Sequence, residues 1–342
     1  MTTASRGTWS RSTANSLWRD RPLLGLAILL GVQILLIAGI YGANRRPAPV
    51  SEPLLPGLTP ETVVALTVAD AEGNAVRLAR RGSEWVLPDA DEFPALADRV
   101  TRLLEKLAGQ RTRRLVARTP GSFARLGVDA TDFVRRLEVE LEDGTAYTLF
   151  LGTVPRPRTI HVRRADQEAV FLAVNLSEMD ANPRPSAWIN TAYFMASRES
   201  MVALTLENRQ GRLEFLRQED GSWTLAGLQE GEEFLQNNLE SMLTTLTGLH
   251  MVRPLGKTSR PEYGLDDPAA VITLVTEEEG RRTTHTLRIG AYDPEDRQYV
   301  LASSDSDYIV RVADYTVERF VDRGRQDFVR PLEEEEAEES GG

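Results

Sequence analysis

Histidine is the side chain whose ordinary pKa suits general acid–base work near neutral pH, and the chain has three, His161, His250 and His285. They stand far apart, none lies in an H-x-x-x-H spacing, and none shares a motif with an acid or a nucleophile. The absence of cysteine removes disulfides, thiolate zinc sites, iron–sulfur clusters and cysteine nucleophiles together. Gly256-Lys257-Thr258 resembles the end of a phosphate-binding loop, but that loop needs a glycine five residues before Gly256, where Met251 stands. Asp293-Pro-Glu-Asp296 and Asp305-Ser-Asp307 offer carboxylates, yet lack the glycine and closing glutamate of a calcium loop. Both runs fall between predicted strands, where Asp and Ser are ordinary turn residues. These residues point to no catalytic centre, no metal site and no cofactor.

Two further sets admit a recognition role. Leu126-Gly-Val-Asp129 and Tyr263-Gly-Leu-Asp-Asp267 recur after similar elements. Each glycine implies a positive φ or a close backbone approach, and each aspartate suits closing a turn. Either these are duplicated structural turns or Leu126, Gly127, Asp129, Tyr263, Gly264 and Asp266 present a recognition surface on each copy. Trp85 and Trp223 occupy matching strand positions. Such repeated tryptophans are expected in the core rather than on a ligand platform.

The elements that position these residues begin with Leu23 to Ala43, an uncharged apolar run between Arg21-Pro22 and Arg45-Arg46. As a helix it spans roughly 31 Å, the thickness of a bilayer's hydrocarbon core. It is longer than a signal-peptide apolar region and lacks a small-residue cleavage site, so a retained anchor is expected. Arg6, Arg11, Arg19 and Arg21 precede it and only Arg45 and Arg46 follow closely, which places the N-terminus in the cytoplasm and the body outside. The expected location is the inner membrane, single-pass. Ala27, Gly31, Ala38 and Gly42 fall on one stripe of the helix, with Gln33 at mid-span, a pattern that suits contact with another membrane helix. Gly and Ala are also common in membrane helices generally.

Net charge is −11 over 342 residues. Residues 1–46 carry +5, which leaves −16 on residues 47–342. An acidic body does not look like a nucleic-acid binder, which needs a concentrated basic face, so no nucleic-acid partner is expected.

The body is an internal duplication. Val64-Ala-Leu-Thr-Val68 matches Val202-Ala-Leu-Thr-Leu206, Trp85 matches Trp223, and Leu151-Gly152 matches Ile289-Gly290, all at an offset of 138. Each copy predicts a hairpin (62–69 with 75–80; 201–207 with 212–217), a short Trp-containing strand, and an amphipathic helix stopped by Gly109 or Gly248. The first helix is expected to begin at Phe93. A strand follows over 111–117 or 250–255, then the Gly-containing loop and a four-strand meander (134–142, 145–151, 158–164 and 169–174; 270–276, 283–289, 297–302 and 308–312).

The expected organisation is a cytoplasmic tail 1–22, a transmembrane helix 23–43, a Pro-rich extended linker 44–60, repeat one over 61–176, a surface connector 177–199 whose aromatic half, Trp188 to Phe194, docks onto the fold, repeat two over 200–330, and an acidic disordered tail 331–342. The fold class is α+β: an N-terminal transmembrane helix, then two repeats, each a mostly antiparallel sheet with an inserted amphipathic helix.

This order of parts resembles the bacterial family called domain of unknown function 4340. The resemblance is carried by Trp85, Leu126-Gly-Val-Asp129 and Leu151-Gly152, and by Trp223, Tyr263-Gly-Leu-Asp-Asp-Pro268 and Ile289-Gly290. Copy one departs from the pattern at Leu126, which stands where Tyr263 does, and lacks a proline after Asp129. The resemblance implies no catalytic residues. It implies an extracytoplasmic accessory or scaffold protein beside ABC-type transport or gliding-motility-like complexes, with permease or ATPase subunits as partners. An envelope glycan- or ligand-binding protein is the alternative, and a hydrolase is less expected.

Overall fold

The computed structural model describes residues 21–43 and 51–332. The tail expected over 1–22 lies outside them except for its last two residues, as does the tail expected over 331–342 beyond Leu332. The chain separates into two compact units, Met1–Glu52 and Pro53–Gly342. In the first, Arg21–Ala43 forms α1, a helix of 23 residues, with side chains described over 25–39. Among the described residues no helix is long and apolar enough to cross a membrane. The transmembrane span expected over 23–43 thus rests on the amino-acid sequence.

The second unit is a mostly antiparallel α+β structure. Copy one runs β1 (Val63–Ala69), β2 (Ala75–Arg81), β3 (Glu84–Leu87), β4 (Phe93–Pro94), α2 (Ala97–Ala108), β5 (Leu115–Ala117), α3 (Phe123–Leu126), β6 (Arg135–Leu141), β7 (Ala146–Leu151), β8 (Thr159–Arg164) and β9 (Val170–Val174). Copy two runs β10 (Ala192–Phe194), β11 (Met201–Asn208), β12 (Gly211–Arg217), β13 (Trp223–Leu225), β14 (Glu232–Phe234), α4 (Gln236–Leu246), β15 (Leu249–His250), β16 (Arg253–Gly256), β17 (Ala270–Glu278), β18 (Arg281–Asp293), β19 (Gln298–Ser303), β20 (Ile309–Ala313), α5 (Asp314–Asp322) and β21 (Val329–Pro331).

The first sheet has the order β4-β3-β2-β1-β6-β7-β8-β9-β5 and the second β13-β12-β11-β17-β18-β19-β20-β16. Element for element these are one topology. The copies differ where β14 leaves the second sheet to pair with β21, where β10 and β15 form a separate pair, and in α5, which only copy two has. Alternation along β1 and β2 turns Val63, Leu66, Val68, Val76 and Leu78 inward. Onto that face α2 lays Val100, Leu103, Leu104 and Leu107, and α4 lays Leu239, Met242, Leu243 and Leu246 onto the second sheet, each 139 positions later. Trp85 and Trp223 are both buried in the core. One continuous cluster of buried residues runs through both copies.

Four features differ from the sequence expectation. Helix α2 starts at Ala97 rather than Phe93, because Phe93 precedes Pro94 and is held extended, pairing with Leu87 of β3. The strand expected over 111–117 forms only over Leu115–Ala117. The expected linker 44–60 is docked from Pro53 onward: Leu54, Leu55 and Leu58 are buried, and Tyr147 donates to the Pro56 carbonyl at 2.6 Å. Burying a leucine gains about 1.5–3 kcal/mol, which outweighs the extended preference of the prolines.

The fourth concerns 177–199, which joins the copies and is also part of both. Its first half closes copy one, where the Trp188 carbonyl accepts the Leu96 N–H at 2.6 Å ahead of α2. In copy two the Phe328 carbonyl accepts the Leu235 N–H at 2.8 Å ahead of α4. The second half opens copy two: β10 pairs with β15 as Pro53 bridges Arg111 in copy one.

Phe328 is fully buried and stacks edge-on against Phe215 with ring centroids 4.9 Å apart. Phe328→Ala should therefore lower stability by about 3–5 kcal/mol. The expected readout is a lower urea midpoint at unchanged slope, and an unchanged midpoint would show that the closing aromatic is dispensable.

Candidate functional site

The two repeated glycine motifs pack against each other. In copy one Gly127 has φ 64° and Gly152 lies beneath the loop, where a Cβ would sit 1.9 Å from the Leu126 carbonyl oxygen. In copy two Gly264 has φ 63°, and a Cβ on Gly290 would sit 2.1 Å from the Tyr263 carbonyl oxygen. Three carbonyls of the first loop are engaged: Leu126 accepts from Thr153 N–H at 2.8 Å, Gly127 from Val134 N–H at 3.2 Å, and Val128 from Arg163 Nε at 2.8 Å. Arg163 is buried, with its guanidinium over Phe123 and Phe150. Asp129 accepts the Thr131 N–H and hydroxyl, which hold its carboxyl below the ordinary value. Tyr263 is buried with Arg260 over its ring, while Asp266 is exposed. The motifs thus do structural work at both places.

On α1, Ala27, Gly31, Gln33 and Ala38 are among the described side chains, and Gly42 is not. A Cβ on Gly31 would meet nothing within 4 Å.

The Gly256-Lys257-Thr258 stretch lies where the copies meet. Lys257 N–H donates to Asp91 Oδ2 at 2.6 Å, and a Cβ on Gly256 would lie 2.5 Å from that oxygen. Phe93 meets Tyr308 edge-on at 4.7 Å, and Lys257 Nζ lies 4.7 Å from the same tyrosine ring. Tyr193 donates to the Tyr308 carbonyl, and burial pushes its phenol up to about 12, so it stays protonated.

One set of side chains has the connectivity of a nucleophile, a base and an orienting acid. Thr276 Oγ1 is 3.0 Å from His285 Nε2, and Asp305 Oδ2 is 2.7 Å from His285 Nδ1. Acyl transfer needs hydrogen-bond donors where negative charge develops. Glu199, Glu277, Glu278 and Glu279 line the same depression against one arginine, Arg281, so the lining is mostly anionic and opposes such charge. The Phe194 ring also lies against the imidazole, at 5.5 Å. The set works as a clasp joining β17, β18 and the β19–β20 turn.

The feature best suited to a partner is the flank of α2. Arg99, Arg102, Lys106, Met179, Asp180 and Trp188 line a groove of about 270 Å³. Arg99 and Arg102 are exposed and form no ion pair among the described residues, and Met179 is 83% exposed at the rim. Lys106 is committed to Asp180 at 2.5 Å. Burial acts to raise the Asp180 carboxyl, but hydrogen bonds from Lys106 and Ser177 outweigh it and hold the pKa below the ordinary value.

In copy two the corresponding flank is occupied. Arg319 of α5 donates to the Ser241 carbonyl, and Arg323 just after it donates to the Asn238 carbonyl. Asn238 and Ser241 stand 139 positions after Arg99 and Arg102. Copy one has no α-helix over 174–182, the stretch that matches α5 when Trp188 is laid on Phe328. The i, i+3, i+7 spacing of Arg99, Arg102 and Lys106 was a sequence signal for this face.

The family model for domain of unknown function DUF4340 matches residues 85–265 and 235–331. The chain belongs to the DUF4340 family. No curated protein and no solved structure matches it. The two matches of the DUF4340 model together run from Trp85 to β21 and take in both glycine motifs.

Gly290→Ala should cost about 1–3 kcal/mol by overpacking against the Tyr263 carbonyl, measured by urea denaturation. An unchanged midpoint would overturn the close approach.

His161, buried in β8, hydrogen-bonds through Nδ1 to Thr153 Oγ1 at 3.0 Å. Burial lowers its pKa, against a smaller opposing effect of the Thr153 backbone. The unfolded chain therefore binds this proton more readily, and stability falls as pH drops below about 6.5. His161→Gln should flatten that part of the pH profile, and an unaltered profile would place the titration elsewhere.

Proposed function

We propose that this DUF4340 protein is a non-catalytic, membrane-anchored accessory subunit that holds an acidic segment of a partner against the flank of α2. The observation that carries this is the open groove beside Arg99 and Arg102, at the position that copy two fills with α5. A flank that accepts a helix in one copy has the shape to accept a chain segment in the other. Two unpaired guanidiniums select carboxylates.

The charge-free run 23–43 supports α1 as a single-pass anchor, and the arginines before it support a cytoplasmic N-terminus with an extracytoplasmic body. Ala27, Gly31, Ala38 and Gly42, with Gln33, are proposed to face a helix of the same complex. The family resemblance makes an ABC-type permease or ATPase, or a gliding-motility-like component, the expected partner.

A second role, binding an envelope glycan or other polar ligand, is favoured by the groove between the copies. That groove is about 500 Å³ and includes Asn74, Arg184, Arg253, Asp296 and Gln298. No aromatic residue is among those lining it, whereas ligand pockets are mostly apolar and aromatic.

The full-length chain, purified from its native membrane in mild detergent, should bring down subunits of a membrane complex. Reversing both charges in Arg99→Glu/Arg102→Glu opposes an acidic partner by several kcal/mol, so recovery should fall at least about tenfold. Arg99→Lys/Arg102→Lys should retain most of it. Undiminished recovery with the reversed pair would sink the α2 site. A wild-type chain that comes down alone would sink the accessory role.

A further inference from the structure

The first sheet ends at β5, which pairs only with β9. Its counterpart β16 ends the second sheet, but there Asp91 of copy one takes the Lys257 N–H. The β5 edge has no such cover. Leu115 is 48% exposed and Val116 44%, one on each face of the strand. Around them stand Arg111, Arg113, Arg114, Arg118 and Arg125, with no acidic residue from 111 to 125. Arg113, Arg114, Arg118 and Arg125 are exposed and form no ion pair among the described residues. The matching stretch of copy two, 250–264, has only Arg253, Lys257 and Arg260 as cations, with Glu262 among them. In an acidic body this edge is a concentrated positive site.

Arginines on an edge strand discourage pairing with another sheet. Basic side chains around exposed aliphatic ones suit a surface that meets anionic lipid headgroups and their acyl boundary. The path of the chain places such a surface within reach. Pro53, the first residue of the body, bridges Arg111, and Leu54 N–H donates to the Gln110 carbonyl at 2.9 Å. Residues 44–52 join α1 to that point, a chain of at most about 35 Å when fully extended.

We infer that the β5 edge rests on the anionic headgroups of the bilayer that α1 enters, and so orients the body on the membrane. This rests on the anchor proposed above. Without it, nothing brings the edge to a bilayer.

The chain has no cysteine, so Val116→Cys in the full-length protein accepts a single environment-sensitive fluorophore. The labelled protein is reconstituted into vesicles of phosphatidylcholine alone or mixed with phosphatidylglycerol. Blue-shifted emission and quenching by headgroup-labelled lipid are expected only with phosphatidylglycerol. Both should be lost as salt shortens the Debye length from about 10 Å at 0.1 M to about 3 Å at 1 M. Both should also be lost in Arg113→Gln/Arg114→Gln/Arg118→Gln, and persist in the matching lysine variant.

The same emission in both vesicle types overturns the inference. So does a shift that grows with protein-to-lipid ratio at fixed composition, which would mark pairing between copies of the chain. Alkaline carbonate extraction of the same vesicles reports on the anchor: release of the chain overturns both proposals, and retention with unshifted emission overturns only this one.

Discussion

The first N–H groups of a helix have no partner within it, and in this protein one of them is taken by a carbonyl from far along the chain. Leu96 N–H is taken by the Trp188 carbonyl and Leu235 N–H by the Phe328 carbonyl. No side chain caps either helix. The residue that receives each helix start is thus also the residue that ends the repeat. The aromatic ring that supplies each carbonyl is also buried in the core, so one residue closes both the hydrogen-bonding and the packing of a repeat.

That constraint explains why the two copies form one body. Trp188 and Ile189 finish the core of copy one, and Ala192–Phe194 already pair with β15 of copy two. No slack remains for a flexible joint, and the buried cluster runs through both sheets. At the seam a backbone N–H, a carboxylate and a glycine without a Cβ meet within 3 Å, with Tyr308 covering them. Such a contact tolerates little sliding, since the space a Cβ on Gly256 would need is already taken by the Asp91 carboxylate.

Within this shared topology the copies differ in chemistry. Positions that meet α5 in copy two carry neutral Asn238 and Ser241, and their carbonyls receive arginines. The same positions in copy one carry Arg99 and Arg102, whose charges would repel an arginine-bearing helix like α5. The stretch of copy one that matches α5, 174–182, forms turns rather than a helix. Sheet edges diverge likewise: β16 is covered by copy one, and β5 is left with arginines. Duplication has kept the scaffold and left two surfaces of copy one without internal partners.

Local pattern alone determined much of this protein. Alternation located the hairpins and meanders, helical spacing identified the faces of α2 and α4, and the repeated glycines Gly127 and Gly264 marked the loops, because those signals depend on neighbours a few residues away. The same reasoning missed α5, although Val317, Phe320 and Val321 have helical spacing, and it took Leu54, Leu55 and Leu58 for part of a free linker. What only the tertiary structure decided is where distant segments meet. It brought Gly152 under Leu126, Trp188 to the start of α2, and Asp91 to Lys257. It also left the α2 flank and the β5 edge uncovered. Burial and backbone hydrogen bonding between residues far apart in the chain have no periodic signature, so they become visible only when the sheets are assembled.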